Sequence, residues 1–246
     1  MSIFITGDTH KDFTRFSSTS FKEGRNLTKD DYVIILGDFG GIWDVNKSRE
    51  DEDYWLKWLG DKPWTTLFVD GNHENFDRIE ALPQVMHNKL GAVVGVAPYG
   101  ILHLKRGEIY EIQGKKFFVF GGGFSIDRAY RREFTSWWSQ EMPNQKDYDR
   151  AISNLNKVGW KVDYILTHSA SFTIVKWLEI NQYIFGKAHE NQLQKFLEMI
   201  KNNCIYKKWF CGHFHLNLKY DEKHIMFSNR IMNLEEVEEV YNEVTK

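Results

Sequence analysis

Cysteine is scarce in this chain of 246 residues. Cys204 and Cys211 are the only two, in no zinc-binding spacing and no disulfide framework. That excludes a disulfide-stapled secreted scaffold and fits a reducing, intracellular setting. Apolar runs are short. None approaches the roughly 20 residues that cross a bilayer, so no membrane span is expected. The opening MSIFITGDTH lacks the basic start and long apolar stretch of a secretory signal and passes straight into a strand pattern; a cytoplasmic location is the expectation. A surplus of one charge is missing too. The formal net charge is −2, which counts against long nucleic acid or an anionic membrane as a partner. No internal repeat, low-complexity tract or linker rich in proline and serine breaks the chain. One domain over 1–233 is therefore expected, followed by an acidic tail over 234–246, LEEVEEVYNEVTK.

What is present is the material of a large core: 42% hydrophobic residues, 15% aromatic and 9 tryptophans. Short β-rich runs end in glycine or polar clusters. They begin at Ser2–Thr6, continue through Val33–Leu36, and recur in TTLFVDGNHE, KKFFVFGGG, VDYILTHSA, KKWFCGHFHLN and HIMFSN. Helices are predicted over Asp12–Ser20, Asp51–Leu59, Asn75–Leu82, Lys146–Lys157 and Glu190–Lys201. Strands alternating with helices predict an α/β fold with partly parallel sheets. From Val93 to Phe120 strands follow one another without helices, which predicts antiparallel hairpins and a second sheet.

Metal-binding residue types stand just after these apolar runs: Asp8 and His10, then Asp38, Asn72 and His73, His168, and finally His213 and His215. If the strands are parallel neighbours, all eight gather at one sheet edge, where open α/β sheets place their ligands. Carboxylate, amide carbonyl and imidazole without thiolate form a mixed oxygen and nitrogen set, suited to Mn, Fe or Zn rather than calcium. Two divalent ions would outweigh the charge of Asp8 and Asp38, so the surplus would attract phosphate. Taken singly, Asp8, Asp38 and Asn72 are also ordinary turn residues.

The ordered blocks GDTH, GDFGG, GNHE, THS and GHFH resemble the signature of the calcineurin-like metallophosphoesterase superfamily. The resemblance implies a four-layer α/β/β/α sandwich with mixed sheets and the metal site at the carboxyl ends of strands. It also implies two divalent metal ions, with manganese first and iron or zinc as alternatives. Asp8, His10 and His215 would hold one ion, Asn72, His168 and His213 the other, and Asp38 would bridge them. His73 would serve as the catalytic, non-ligand histidine beside the leaving group, and a metal-bridging hydroxide would be the nucleophile. His87, His103, His189 and His224 match no block and are read as ordinary histidines.

The implied activity is hydrolysis of a phosphate ester, on a small phosphorylated molecule or nucleotide. The alternative is a phosphodiesterase or nuclease with the same centre. A non-catalytic scaffold is the reading from another class, and retention of the full ligand set speaks against it. The stretch GDFGGIWD lacks the aspartate–arginine pair of the Ser/Thr protein phosphatase branch, which counts against that substrate class. In GGGFSIDRAYRRE, Arg128, Arg131 or Arg132 could grip phosphate with a bidentate fork. Phe39, Trp43, Phe76, Phe124, Trp137 and Trp138 could stack on a base or form core. The region from Phe124 to Tyr164 could supply a cap or substrate wall.

Overall fold

The computed structural model describes residues 1–45, 50–184 and 190–237; His189 and residues 238–246 of the expected acidic tail lie outside them. In chain order the first half runs β1 (Ile3–Thr6), β2 (Tyr32–Leu36), α1 (Glu50–Gly60), β3 (Thr65–Val69), α2 (Phe76–Glu80), β4 (Gln84–His87), β5 (Ala92–Val96) and β6 (Leu102–Leu104). The second half runs β7 (Ile109–Ile112), β8 (Lys115–Phe120), α3 (Gln145–Lys157), β9 (Tyr164–Thr167), α4 (Phe172–Ile180), α5 (Gln192–Asn203), β10 (Lys208–Cys211), β11 (Leu218–Lys219), β12 (His224–Met226) and β13 (Ile231–Asn233).

Two sheets follow. One is ordered β13-β1-β2-β3-β6-β5-β4, the other β11-β12-β10-β9-β8-β7. In the first, β1, β2, β3 and β6 are mutually parallel, and in the second β8, β9, β10 and β12 are. The hairpins expected between Val93 and Phe120 are β5–β6 and β7–β8, both antiparallel, and the chain changes sheet between them.

Period-two alternation explains the layering. Ile3, Ile5, Ile34, Leu36, Leu67 and Val69 face inward and meet Phe117, Val119, Tyr164, Leu166 and Phe210 of the other sheet. Phe4, Val33, Ile35 and Phe68 face outward and are covered by Phe13, Phe16, Leu56, Leu59 and Trp64. On the far side Phe118, Phe120 and Ile165 pack under Ala151 and Leu155 of α3 and Leu193, Leu197 and Ile200 of α5. Because both faces of both sheets are covered, the central strands carry continuous apolar runs. The architecture is a mixed-sheet α/β/β/α sandwich. Leu234 and Val237, just past β13, are buried in the inter-sheet core. Among the described residues no helix is long and apolar enough to cross a membrane.

One expected helix is absent. Between Asp12 and Ser20 the chain makes a single 3-10 turn, Thr14–Phe16. Asp12 Oδ1 accepts the Thr14 N–H, and Ser17 Oγ accepts the Ser20 N–H, so short polar side chains compete with helical backbone bonds. One helix was not foreseen: α4, FTIVKWLEI, whose β-branched and aromatic content hides it.

Candidate metal centre

Asp8, Asp38, Asn72, His168 and His213 each follow the carboxyl end of a parallel strand, β1, β2, β3, β9 and β10 respectively. The facing sheet edges converge so tightly that glycine is needed at the turns. A Cβ on Gly212 would lie 2.3 Å from Asp8 Oδ1, and one on Gly37 only 2.1 Å from His168 Nδ1. Four candidate ligands have left-handed backbone: His10 (φ 44), Asp38 (φ 46), His213 (φ 69) and His215 (φ 53). Such conformations cost about 1–3 kcal/mol each and cluster where a site holds side chains against local preference.

Asp8, His10, Asp38 and His215 bring their ligand atoms within 4.8 Å of one another. His10 Nε2 lies 3.1 Å from His215 Nε2, 3.6 Å from Asp38 Oδ2 and 3.9 Å from Asp8 Oδ2. The two carboxylates are aimed by one device. Asp8 Oδ1 accepts the backbone N–H of His213 at 2.9 Å. Asp38 Oδ1 accepts those of Asn72 and His73 at 2.9 and 2.8 Å. Each Oδ2 is thereby turned towards the histidines. Asp8 Oδ2 is buried without a hydrogen bond, although His215 Nε2 is 3.2 Å away. A buried carboxylate oxygen left in this state is costly unless a cation or charged donor meets it.

Asn72, His168 and His213 lie on the other side of Asp38. His168 is fully buried, and its Nδ1–H donates to the Leu36 carbonyl at 2.8 Å. In an uncharged ring that bond leaves the lone pair on Nε2. Nε2 then faces Asn72 Oδ1 at 3.0 Å and Asp38 Oδ1 at 3.3 Å, acceptor against acceptor. The Asn72 amide is held in that sense by its Nδ2, which donates to Ser125 Oγ at 3.0 Å. Ser125 Oγ donates in turn to Glu141 Oε2 at 2.5 Å, and Ser125 N to Oε1 at 3.0 Å. The His213 ring sits 4.8 Å from that of His168, centroid to centroid. A cation held here would meet both the unpaired Asp8 oxygen and the facing Nε2 and Oδ1 atoms, and the donor set suits a first-row divalent metal.

Electrostatics place a depressed Asp8 carboxyl among histidines shifted in opposite directions. Burial alone would raise the Asp8 carboxyl, but the facing His215, His168 and His213 outweigh it and bring it to about 2. Burial, with His168 beside it, lowers His213 to about 4. His215 is shifted up by its contact with Asp8. His73 is shifted down, first by burial and then by Arg131, His10 and His168, against the pull of Asp38. Buried Glu74 accepts N–H bonds from Phe39, Gly40 and Gly71, and burial beside Asp38 raises it well above the ordinary carboxyl range.

A cleft of about 600 Å³ opens beside Asp38, Asn72, His73, His213 and His215. Phe124 to Asp127 form part of its wall, as does Phe214. Of the six aromatics singled out in the sequence, only Phe124 lines it; Phe39, Phe76 and Trp138 are buried. The three arginines do not line it. Arg131 is clamped by Asp127 through bonds of 2.8 and 2.7 Å, and Arg128 lies over the Phe124 ring at 4.7 Å. Arg132 is exposed. His103 and His224 are structural: His103 bonds Asp70 at 2.9 Å, and His224 bonds Asp221 at 2.7 Å. His87 is half-buried on β4. Sequence reasoning missed Ser125, which bonds Asn72 and lines the cleft, and Glu141, which reaches the site through Ser125.

The sequence model of the calcineurin-like phosphoesterases matches residues 1–217, a span that contains all eight candidate site residues. The chain belongs to that family of metal-dependent phosphoesterases, and its substrate is accordingly a phosphorylated one. No curated protein matches it significantly.

Proposed function

We propose that the chain hydrolyses a phosphate ester of a small molecule or nucleotide with two divalent cations, manganese first among the candidates. Asp8, His10 and His215 would hold one ion, Asn72, His168 and His213 the other, and Asp38 both. When bound, the pair would supply Lewis acidity and an activated water for in-line displacement at phosphorus. The observation that carries this reading is the arrangement around Asp38. His10 Nε2 lies 3.6 Å from its Oδ2 on one side, and His168 Nε2 lies 3.3 Å from its Oδ1 on the other.

His73 is the candidate acid. Its imidazole lines the cleft and has no hydrogen-bond partner among the described residues, while its backbone N–H is spent on Asp38. Held neutral by burial, it keeps one N–H to place at the leaving oxygen. Arg131, whose charge bears on His73, does not line the cleft and is tied to Asp127 and the Ser136 carbonyl, so the phosphate would rest on the cations and not on an arginine. Hydrolysis of p-nitrophenyl phosphate and bis-p-nitrophenyl phosphate by manganese-loaded protein tests the reading. Turnover that disappears with chelation and returns with metal supports it; preference for the bis ester selects the diesterase form. Loaded protein inert towards both esters overturns it.

A further inference from the structure

We infer that the organic part of the substrate is a flat heterocycle bearing a hydrogen-bond donor, as in an amino-substituted nucleobase, and that Gln194 reads it. This rests on the phosphoesterase reading and narrows its substrate class.

The cleft beside the metal ligands is walled by Phe124, Val175, Ile184, Phe214 and Leu216, with Tyr183 at its edge. Two of its rings are fixed from behind. Arg128 lies against Phe124, and Trp177 stacks on Tyr183 at 5.4 Å and 21°. Among the described residues no lysine or arginine lines the cleft. A flat, uncharged group fits this wall.

Gln194 supplies the polar reader. It is only 7% exposed, lines the cleft, and its Oε1 is buried without a hydrogen bond. Local structure offers that oxygen an alternative. Gln194 is the third residue of α5, and Asn191, its N-cap, accepts the Gln194 backbone N–H at 2.9 Å. A glutamine at this position would usually close a capping box by reaching back to the N-cap N–H. Here the carboxamide forgoes that bond and leaves its acceptor unpaired beside the cleft. A carboxamide presents acceptor and donor side by side, the pattern that pairs with the exocyclic amine and ring nitrogen of adenine. A purely aliphatic ester has no such edge to offer.

The test compares adenosine monophosphate, inosine monophosphate and ribose 5-phosphate on manganese-loaded protein. It is run in parallel with 2′,3′-cyclic AMP and 2′,3′-cyclic IMP, and p-nitrophenyl phosphate serves as the reference. In whichever series turns over, the adenine ester should exceed its inosine counterpart in kcat/KM by ~10-fold, the discrimination of one good base contact. The isosteric Gln194→Met should bring that ratio close to one. Phe214→Ala, a second variant on another element, should raise KM for nucleotides more than for ribose 5-phosphate. Wild-type protein that treats adenine, inosine and base-free esters alike overturns this inference alone. So does a Gln194→Met variant whose adenine preference is unchanged. Failure to hydrolyse every ester, the p-nitrophenyl reference included, overturns the phosphoesterase reading and this one with it.

Discussion

His168 Nε2 and Asn72 Oδ1 face each other across 3.0 Å, and where the His168 ring is uncharged with its proton on Nδ1 both are acceptors. The Leu36 carbonyl takes the His168 Nδ1 proton, and Ser125 takes the Asn72 amide N–H, so neither side chain can turn a donor to the other. Adding a divalent cation should relieve this opposition and raise the melting temperature. At a metal concentration 100 times Kd the gain is about 2.7 kcal/mol, roughly 5–10 °C for a domain of this size. His168→Ala should lower the bound metal towards one equivalent, while Asp38→Asn should weaken both sites. Metal analysis after gel filtration, with thermal melts in manganese and in EDTA, checks this. Full metal content in Asp38→Asn would remove Asp38 from its bridging role.

The His73 ring lines the cleft without a hydrogen-bond partner among the described residues and meets the His10 ring edge-on at 5.4 Å. His73→Ala should therefore lower kcat by roughly 10²–10⁴ while bound metal stays near wild type. If the variant loses metal in proportion to activity, the ring is a ligand or a support for one. Steady-state kinetics paired with metal analysis on the same sample separates the two.

The candidate ligands stand out in the sequence because their pattern is local: most are donor residues just after a buried strand, and Asp8, Asp38, Asn72 and His213 stand directly behind a glycine. What holds them does not. Ser125 and Glu141 belong to no motif, and they reach Asn72 only because Gly121 to Gly123 turn the chain from β8 across the end of β3. Gly122 N donates to Asp70 O at 2.9 Å at that crossing. Likewise Asp12–Ser20 has an apolar spacing compatible with a helix, yet Ser17 and Asp12 bond their own backbone. The aromatics near the motifs could not be divided between wall and core from spacing alone. Phe39 stacks on Phe68 at 4.3 Å in the outer core, while Phe124 lines the cleft.

The Asn72–Ser125–Glu141 chain makes a prediction of its own. Ser125→Ala deprives Asn72 Nδ2 of its acceptor and lets the amide turn, so metal affinity should fall ~10–100-fold. Ser125→Thr keeps the hydroxyl and should retain most of it. Chelator competition reads the affinity directly. If Ser125→Ala binds metal as tightly as wild type, the amide orientation is set by something other than this chain.

Glu198, outside the candidate metal centre, gives a prediction about acid stability. From α5 it accepts the Thr173 backbone N–H at 3.0 Å and the Thr173 hydroxyl at 2.8 Å, placing negative charge at the first turn of α4. Lys201 Nζ donates to its other oxygen at 2.8 Å. Burial raises the carboxyl, but Lys201 and Thr173 outweigh it and bring it to about 2, from an ordinary value of 4.5. A carboxylate depressed in the folded state contributes stability in full above its unfolded value. That contribution is lost as pH falls from about 4.5 towards about 2. Glu198→Gln keeps an acceptor for Thr173 and removes the charge. Because the group is half-buried at the surface and its partners are partly solvated, the loss at neutral pH should be modest, roughly 1 kcal/mol or less and a few degrees of melting temperature. Melts of both proteins from pH 7 down to the most acidic pH at which the fold persists should show the gap holding to about pH 4.5 and then closing. A gap that widens on acidification would mean that the Glu198 charge is not what ties α5 to α4.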